Sequence, residues 1–513
     1  MARDEHPHSG AMDGMALPGA FALFKVLLLL AVLGRYGIFR DEYYYLACAG
    51  RPDWGYVDHP PLSIAFLAVW TGIFGDGLWA LRLPGIALGA ATVLLAGLIT
   101  QEMGGRRFAQ SLACLGVLIA PIFLAVSNFY SMNVFDQFFW AVLTWVLVRF
   151  LNTGDARYWL LFGLIAGLAL QNKISVLVLG LGLVCGLILT RHRAQFLKKE
   201  LWMGGAIAGL LFLPHLLWQV RNGYPTLEFL HNASTMKNTD SSPIALFLGT
   251  LLEMHPANAL IWIPGLFFTL YGGAGKRYRL LGVTFIGVFL VFGFTNGKGY
   301  YLAPAMPMLL ALGGVVWERW TRDRPWGRAS VLAPLVLLGP VLMPLSIPVL
   351  PPAQFIVYQA RLGIGPTAGE RHEQGALPQH FADRFGWKEL AEFIDEACTA
   401  HLPEERERAV VLVGNYGEAG ALEYYKDVYN LPRVICPHNN YYLWGPGEVD
   451  GKVVLAYGFD KASLERHFES VVVSAERFNH PLAMPYQNNR PLFICRSPRM
   501  PLDEVWPRVK RFI

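Results

Sequence analysis

"RDEYYYLACAGRPDWGYVDHPPL" spans Arg40–Leu62. An arginine and two acids open it, three tyrosines follow, and Asp58-His59-Pro60-Pro61 comes near its end. It lies between an apolar run near 18–39 and another near 80–100, with the shorter apolar stretch "PPLSIAFLAVWTGIFG" in between. A polar segment between two runs of membrane-spanning length reads as a loop at the membrane surface. The shorter stretch, with Pro60 and Pro61 at its start, reads as a helix lying in the interface.

The whole chain supports that reading. Of its 513 residues, 54% are hydrophobic and 16% are charged, against roughly 25% charged in soluble proteins. The net charge of +5 is small and its basic residues are scattered between apolar runs, so they read as topology signals and exclude a nucleic-acid partner. Six cysteines show no C-x-x-C spacing. They do not suggest zinc or haem, and a disulfide is open only to Cys398, Cys436 and Cys495. Residues 1–17 read as a cytoplasmic tail. The run that follows contains Lys25 and lacks a small-residue cleavage pattern, so it reads as an uncleaved first helix.

Spanning needs about 20 mainly apolar residues. Eleven runs qualify, near 18–39, 80–100, 109–127, 132–150, 158–171, 174–190, 201–220, 245–271, 280–295, 301–317 and 329–348. With the N-terminus inside, the inner loops carry 15 Lys+Arg in 50 residues and the outer loops 7 in 82, the asymmetry expected of that orientation. An odd count puts residues 350–513 outside. There "GWKELAEFIDEACTAHL" has helical periodicity, and "AVVLVGNY", "GKVVLAYGF" and "SVVVSAERF" read as strands. The expected architecture is an α-helical polytopic membrane protein with about 11 transmembrane helices over 18–349. Interfacial helices occupy its first outer loop, 40–79, and a soluble α/β domain covers 350–513. No internal repeat is evident.

Isolated polar groups mark the outer ends of several runs: Asp136, Lys173, Glu228, His231, Lys237, Lys298 and Tyr301. With Asp41, Glu42, Tyr44, Asp58 and His59 they would line one cavity of a helix bundle. An ionisable group at membrane depth costs roughly 2.5–3.5 kcal/mol, so it usually faces a cavity or a ligand. Cations and tyrosines suit a phosphate; neighbouring acids suit a general base or a metal. Each feature also has a plainer reading. A lysine at a helix end can snorkel, Tyr43, Tyr44 and Tyr45 can form an aromatic belt, and Asp41 with Glu42 can cap a helix.

The stretch "DEYYYLACAGRPDWGYVDHPPLSIAFLAVWTGIFGDGLWALRLPG" resembles the first outer loop of polytopic GT-C glycosyltransferases. It is most similar to the group of protein mannosyltransferases, lipid A aminoarabinose transferases and rhizobial lipid A galacturonosyltransferases. Downstream, "NVFDQFFW", "GLALQNKIS" and "GKGYYLAPAMPMLLALGG" resemble later elements of the same pattern, and "VGNYGEAGALEYY" with "HNNYYLWGPG" resembles the outer domain of galacturonosyltransferase-like members. The resemblance implies an inverting transferase, a monomer in the bacterial inner membrane with its C-terminal domain on the periplasmic side. It would move a sugar from a polyprenyl-phosphate donor to a lipid, glycan or protein acceptor.

By resemblance Asp41 is the base or an acceptor-orienting acid, with Glu42 beside it, and Asp58 matches the acid before Pro-Pro. His59 is a candidate for binding the donor's phosphate; it stands where the aminoarabinose transferase has a lysine, and a histidine, mostly neutral near pH 7, is not a fixed cation there. Lys173 and Tyr301 match positions near the lipid phosphate, and Lys298 joins them. No cofactor is certain; Asp58 and His231 are two candidate ligands for a divalent metal. In the outer domain, Gly414–Glu418 reads as a strand-to-helix turn with free N–H groups for an anion. Tyr416, Glu418, His438, Asn439, Asn440, Tyr441, Tyr442 and Trp444 are candidates for holding an acceptor, with tight turns and packing aromatics as the alternative. The competing function is a transporter or flippase of a lipid-linked sugar. That would not need a carboxylate pair on the outer loop, and the chain lacks the repeated halves of many transporters.

Overall fold

The computed structural model describes residues 11–237, 242–366 and 373–513. They fall into two compact units. The membrane unit comprises Met1–Gly34, Leu81–Leu216 and Asp240–Val349; the loop unit comprises Arg35–Ala80, Leu217–Thr239 and Leu350–Ile513. One unit edge falls between Val349 and Leu350. The Arg35–Ala80 and Leu217–Thr239 segments group with Leu350–Ile513, from which they are distant in sequence.

Among the described residues, seven helices are long and apolar enough to cross a membrane: Gly14–Val32, Leu78–Glu102, Met132–Thr153, Lys199–Arg221, Ala274–Phe294, Gly299–Trp320 and Pro325–Leu345. Three further pairs are bent: Arg107–Ile119 with Pro121–Asn128 by 67°, Val176–Leu189 with Arg191–Leu197 by 109°, and Pro243–Glu253 with Pro256–Tyr271 by 105°. Counting each pair once makes ten. The eleventh expected span is the Tyr158–Leu170 helix, whose 13 residues rise about 20 Å, short of a hydrocarbon core of roughly 30 Å.

The bends differ from the continuous runs expected at 109–127 and 245–271, and they have local causes. A residue before proline is pushed out of the helical region: Ala120 before Pro121 is extended (φ −65°, ψ 122°), and His255 before Pro256 has φ 72°. The third break falls at extended Thr190, whose hydroxyl accepts the His192 N–H. The membrane unit's main core is aliphatic, with Val93, Leu112, Leu143, Ile261, Leu280 and Leu309 fully buried. Small residues allow close approach. A Cβ on Gly313 would strike the Ile261 carbonyl, and one on Gly265 the Leu309 carbonyl, so these glycines let the Ala259–Tyr271 and Met306–Trp320 helices pack closely.

The loop unit contains a five-stranded sheet ordered β2-β1-β3-β5-β4. Its strands are β1 Val410–Val413, β2 Arg433–Ile435, β3 Val453–Tyr457, β4 Phe468–Phe478 and β5 Arg490–Pro498. β1 runs parallel to β2 and β3, while β5 runs antiparallel to β3 and β4. Three strands match the sequence reading; β2, of three residues, and β5, interrupted by arginines, are additional. The Trp387–His401 helix buries Leu390, Ala391, Ile394, Ala397 and Cys398, one stripe at helical spacing. Cys398, Cys436 and Cys495 are buried free thiols, so the disulfide open to them is not formed.

In the first loop, Arg40–Ala49 and Leu62–Phe74 are helices. The second buries Ser63, Ile64 and Leu67 and exposes Phe66, Val69, Ile73 and Phe74. That apolar outer face suits an interfacial helix.

Candidate functional site

The Arg40–Ala49 helix begins where extended Phe39 ends. The Glu42 carboxylate accepts the Phe39 N–H at 2.7 Å and is fully buried. Glu42, expected beside Asp41 in catalysis, therefore closes the first turn of the helix. Arg40 is buried too. Its backbone N–H donates to the Asp383 carbonyl, its Nη1 to the Tyr486 hydroxyl at 3.0 Å, and Nη1 lies 3.5 Å from Asp383 Oδ2. Burial disfavours its charge, but Asp383, Tyr416, Tyr486 and Asp41 outweigh that and hold the guanidinium firmly protonated.

Asp41 stays accessible, its side chain 32% exposed. Oδ1 accepts from Tyr416 Oη at 2.9 Å and from Arg40 Nε at 3.3 Å. Among the described residues no hydrogen bond reaches Oδ2. One carboxylate oxygen is anchored and the other is open, the arrangement a proton acceptor needs.

Asp58 is held differently. Tyr44 Oη lies 3.0 Å from Asp58 Oδ1 and 3.2 Å from Asn440 Oδ1. Asn440 Oδ1 also accepts the Val57 N–H at 2.7 Å, fixing the backbone beside Asp58. Burial, then the Asp58 charge, push the Tyr44 phenol well up, so it remains a hydrogen-bond donor. His59 is buried with Nδ1 3.1 Å from the Pro60 carbonyl and Nε2 3.8 Å from Asp58 Oδ1. It packs among Tyr44, Tyr45 and Tyr56. The expected donor-binding imidazole thus sits behind Asp58, among tyrosines.

The Tyr416–Tyr424 helix follows β1. Asn415 Oδ1 accepts the N–H groups of Gly417 and Glu418, and Glu418 Oε2 accepts those of Gly414 and Asn415. This is a reciprocal capping box. The free N–H groups expected to bind an anion are satisfied from within. Burial pushes Glu418 up to about 7, against the pull of Arg490 and these backbone donors.

The other acceptor candidates are similarly engaged. His438 Nδ1 accepts from Tyr416 N at 3.4 Å, so its Nε2 carries the proton donated to the Ile513 carbonyl at 2.7 Å. Asn439 holds the same segment, accepting the Ile513 N–H and donating to the Arg511 carbonyl. Arg51 lies 4.4 Å over Trp444 and pairs bidentately with Glu423, which also accepts from Tyr441.

In the membrane unit, Asn133 and Asp136 share one face of the Met132–Thr153 helix at i, i+3 spacing. Lys173 Nζ donates to Asn133 Oδ1 at 2.8 Å and lies 3.4 Å from Asp136 Oδ2. Ser175 Oγ donates to Asp136 Oδ1 at 2.7 Å. The Tyr300 and Tyr301 ring centres lie 5.8 and 5.7 Å from the ammonium, within cation–π range. Lys173 therefore points inward and does not snorkel. Lys298 precedes the Gly299–Ala305 turn, and its charge acts on Glu253, a residue the sequence reading passed over.

His231 is exposed on the Pro225–Asn232 helix. Lys237 ends a π-helical turn, Ala233–Lys237, and its side chain lies outside the described residues. No group of three His, Cys, Asp or Glu among the described residues is placed to hold a metal. Asp58 and His231 alone are too few donors for a closed site, and no chemical step is routed through a metal.

Residues 58–218 match the family model described as dolichyl-phosphate-mannose-protein mannosyltransferase. Two solved structures have the same fold. ArnT from Cupriavidus metallidurans bound to undecaprenyl phosphate aligns with a TM-score of 0.60 and 16% identity, covering 94% of this chain and 98% of that one. Its apo state aligns at 0.61 and 16%, covering 95% and 98%. YkcB of Bacillus subtilis (strain 168), a candidate mannosyltransferase, is 26% identical over 170 residues, 30% of this chain and 24% of its own length. This chain thus matches about a quarter of that relative. The fold is thus shared with the two ArnT structures, and residues 58–218 carry the match to the mannosyltransferase family model.

Proposed function

We propose that the protein transfers a sugar from a polyprenyl-phosphate donor to a lipid, glycan or protein acceptor, with inversion at the anomeric carbon, on the outer face of a bacterial inner membrane. The observation that carries this reading is Asp41, with Oδ1 held by two donors and Oδ2 open. The ArnT likeness, one structure of which holds undecaprenyl phosphate, favours a donor of that chemical class.

In the proposed reaction an acceptor hydroxyl attacks the anomeric carbon. The new C–O bond forms as the bond to the carrier phosphate breaks, and the leaving electron pair stays on phosphate. The hydroxyl proton passes to Asp41 Oδ2. Charge growing on the phosphate oxygens needs cations and donors; within the membrane unit the groups of that chemistry are Lys173, fixed by Asn133 and Asp136, with Tyr301 and Lys298. A phosphate acceptor would need no base, and Asp41 would then orient it.

The test is transfer by the purified protein in vesicles. Labelled polyprenyl-phosphate sugars are supplied with membrane lipid, glycan and peptide acceptors, and the product's anomeric configuration is read by NMR. Labelled product with inverted configuration is expected. Movement of the lipid-linked sugar between leaflets without transfer would overturn the reading in favour of a flippase.

A further inference from the structure

We infer that Tyr416 is a positioning residue for Asp41, so that the helix following β1 is part of the machinery that prepares the base. The inference rests on the proposed transferase function and adds to it a role for the C-terminal region.

Three observations converge. Tyr416 Oη donates to Asp41 Oδ1 at 2.9 Å, although 375 residues separate the two. The backbone around Tyr416 is fixed by the reciprocal Asn415–Glu418 cap, and its ring is flanked by Tyr44 at 4.8 Å, His438 at 5.0 Å and the Arg40 guanidinium at 5.4 Å. The phenol is therefore preorganised. Finally, the helix is shaped to receive its neighbour. A Cβ on Gly417 would strike the Arg40 side chain, and one on Gly420 would come within 2.8 Å of the Tyr43 backbone. Two glycines at i, i+3 thus let it seat against the Arg40–Ala49 helix, which carries Asp41.

The chemical consequence is directional. A carboxylate with both oxygens free can rotate and present either one. With Tyr416 Oη and Arg40 Nε both on Oδ1, Oδ2 is left to receive the proton. Arg40 alone is a poorer anchor, because Asp383 and Tyr486 also claim its guanidinium. The charged and titratable groups facing Asp41 are thus Arg40 directly and Tyr416 through its hydroxyl, with Asp383 and Tyr486 behind Arg40.

The test is Tyr416→Phe, which removes one oxygen and keeps the ring packing, assayed in the full-length protein with Asp41→Asn in parallel. A charge-assisted hydrogen bond of this kind suggests a fall in kcat of roughly tenfold or more, with KM for the polyprenyl-phosphate sugar unchanged. A carboxylate that loses a donor takes up a proton more readily, so the acid limb of the pH–rate profile should move to higher pH. A purely structural tyrosine would lower thermal stability without moving that limb. Wild-type kcat and pH profile in Tyr416→Phe, with Asp41→Asn inactive, would overturn the inference and leave the base intact. An active Asp41→Asn would remove the base, and the inference with it.

Discussion

The Lys173 ammonium lies 3.4 Å from Asp136 and donates to Asn133. The cation expected to meet the donor's phosphate is thus already paired. Its charge is partly offset, while its position is fixed by two residues one helical turn apart.

For that reason Lys173→Ala should have two effects. Loss of a charge-assisted contact to phosphate should weaken polyprenyl-phosphate binding by about 1.5–3 kcal/mol. It also strips Asp136 of its cation, so thermal stability should fall, and pairing the change with Asp136→Asn should restore stability without restoring binding. Carrier affinity that is unchanged in Lys173→Ala, measured by titration in detergent, would assign the lysine to structure alone.

Asp41→Asn preserves size and an acceptor for Tyr416 but removes the charge. If Asp41 takes the proton of a hydroxyl acceptor, turnover should fall by about 10²–10⁴-fold with carrier binding near wild type. If the acceptor is a phosphate, the loss should be smaller and lie in acceptor KM. Full activity would move the base to Asp58.

Glu418 makes the stability of the loop unit depend on pH. Its folded value is raised from 4.5 to about 7 by burial, so folding favours its protonated form. That contribution is fully present below about 4.5 and is lost as pH rises through about 7, a change of roughly 3 kcal/mol at the upper end. Unfolding temperatures of the wild type should therefore decline relative to Glu418→Gln across this window. Glutamine keeps one acceptor for the Gly414 and Asn415 N–H groups. Parallel curves for the two proteins would show that the carboxyl does not titrate there.

Orientation is tested by labelling. In a cysteine-free background, an impermeant thiol reagent added outside should modify Asp450→Cys and leave Gln195→Cys untouched. This follows from the 15 Lys+Arg in the inner loops against 7 in the outer ones. The reverse pattern would invert the topology and remove Asp41 from the outer face. Labelling at 450 also checks parity, which turns on whether the 13-residue Tyr158–Leu170 helix crosses.

The membrane class, most spans, the Leu62–Phe74 helix with its apolar exposed face, the Trp387–His401 helix and three of five strands were legible in the sequence. Each is set by local hydropathy and period, which a short window contains. Two of the bends also left local marks, at Pro121 and Pro256. The N-x-x-E spacing of Asn415 and Glu418 marked a cap, although it read more readily as an anion site. Asp41, Asp58 and Lys173 stood out as polar groups where the membrane penalises them, but their partners did not. Arg40 meets Asp383 and Tyr486, Asp41 meets Tyr416, and Val57 meets Asn440 across hundreds of residues. Such pairs carry no periodicity. They exist only once the sheet and the capped helix close a loop of that length and bring buried donors to acceptors, and that closure is a property of the folded unit as a whole.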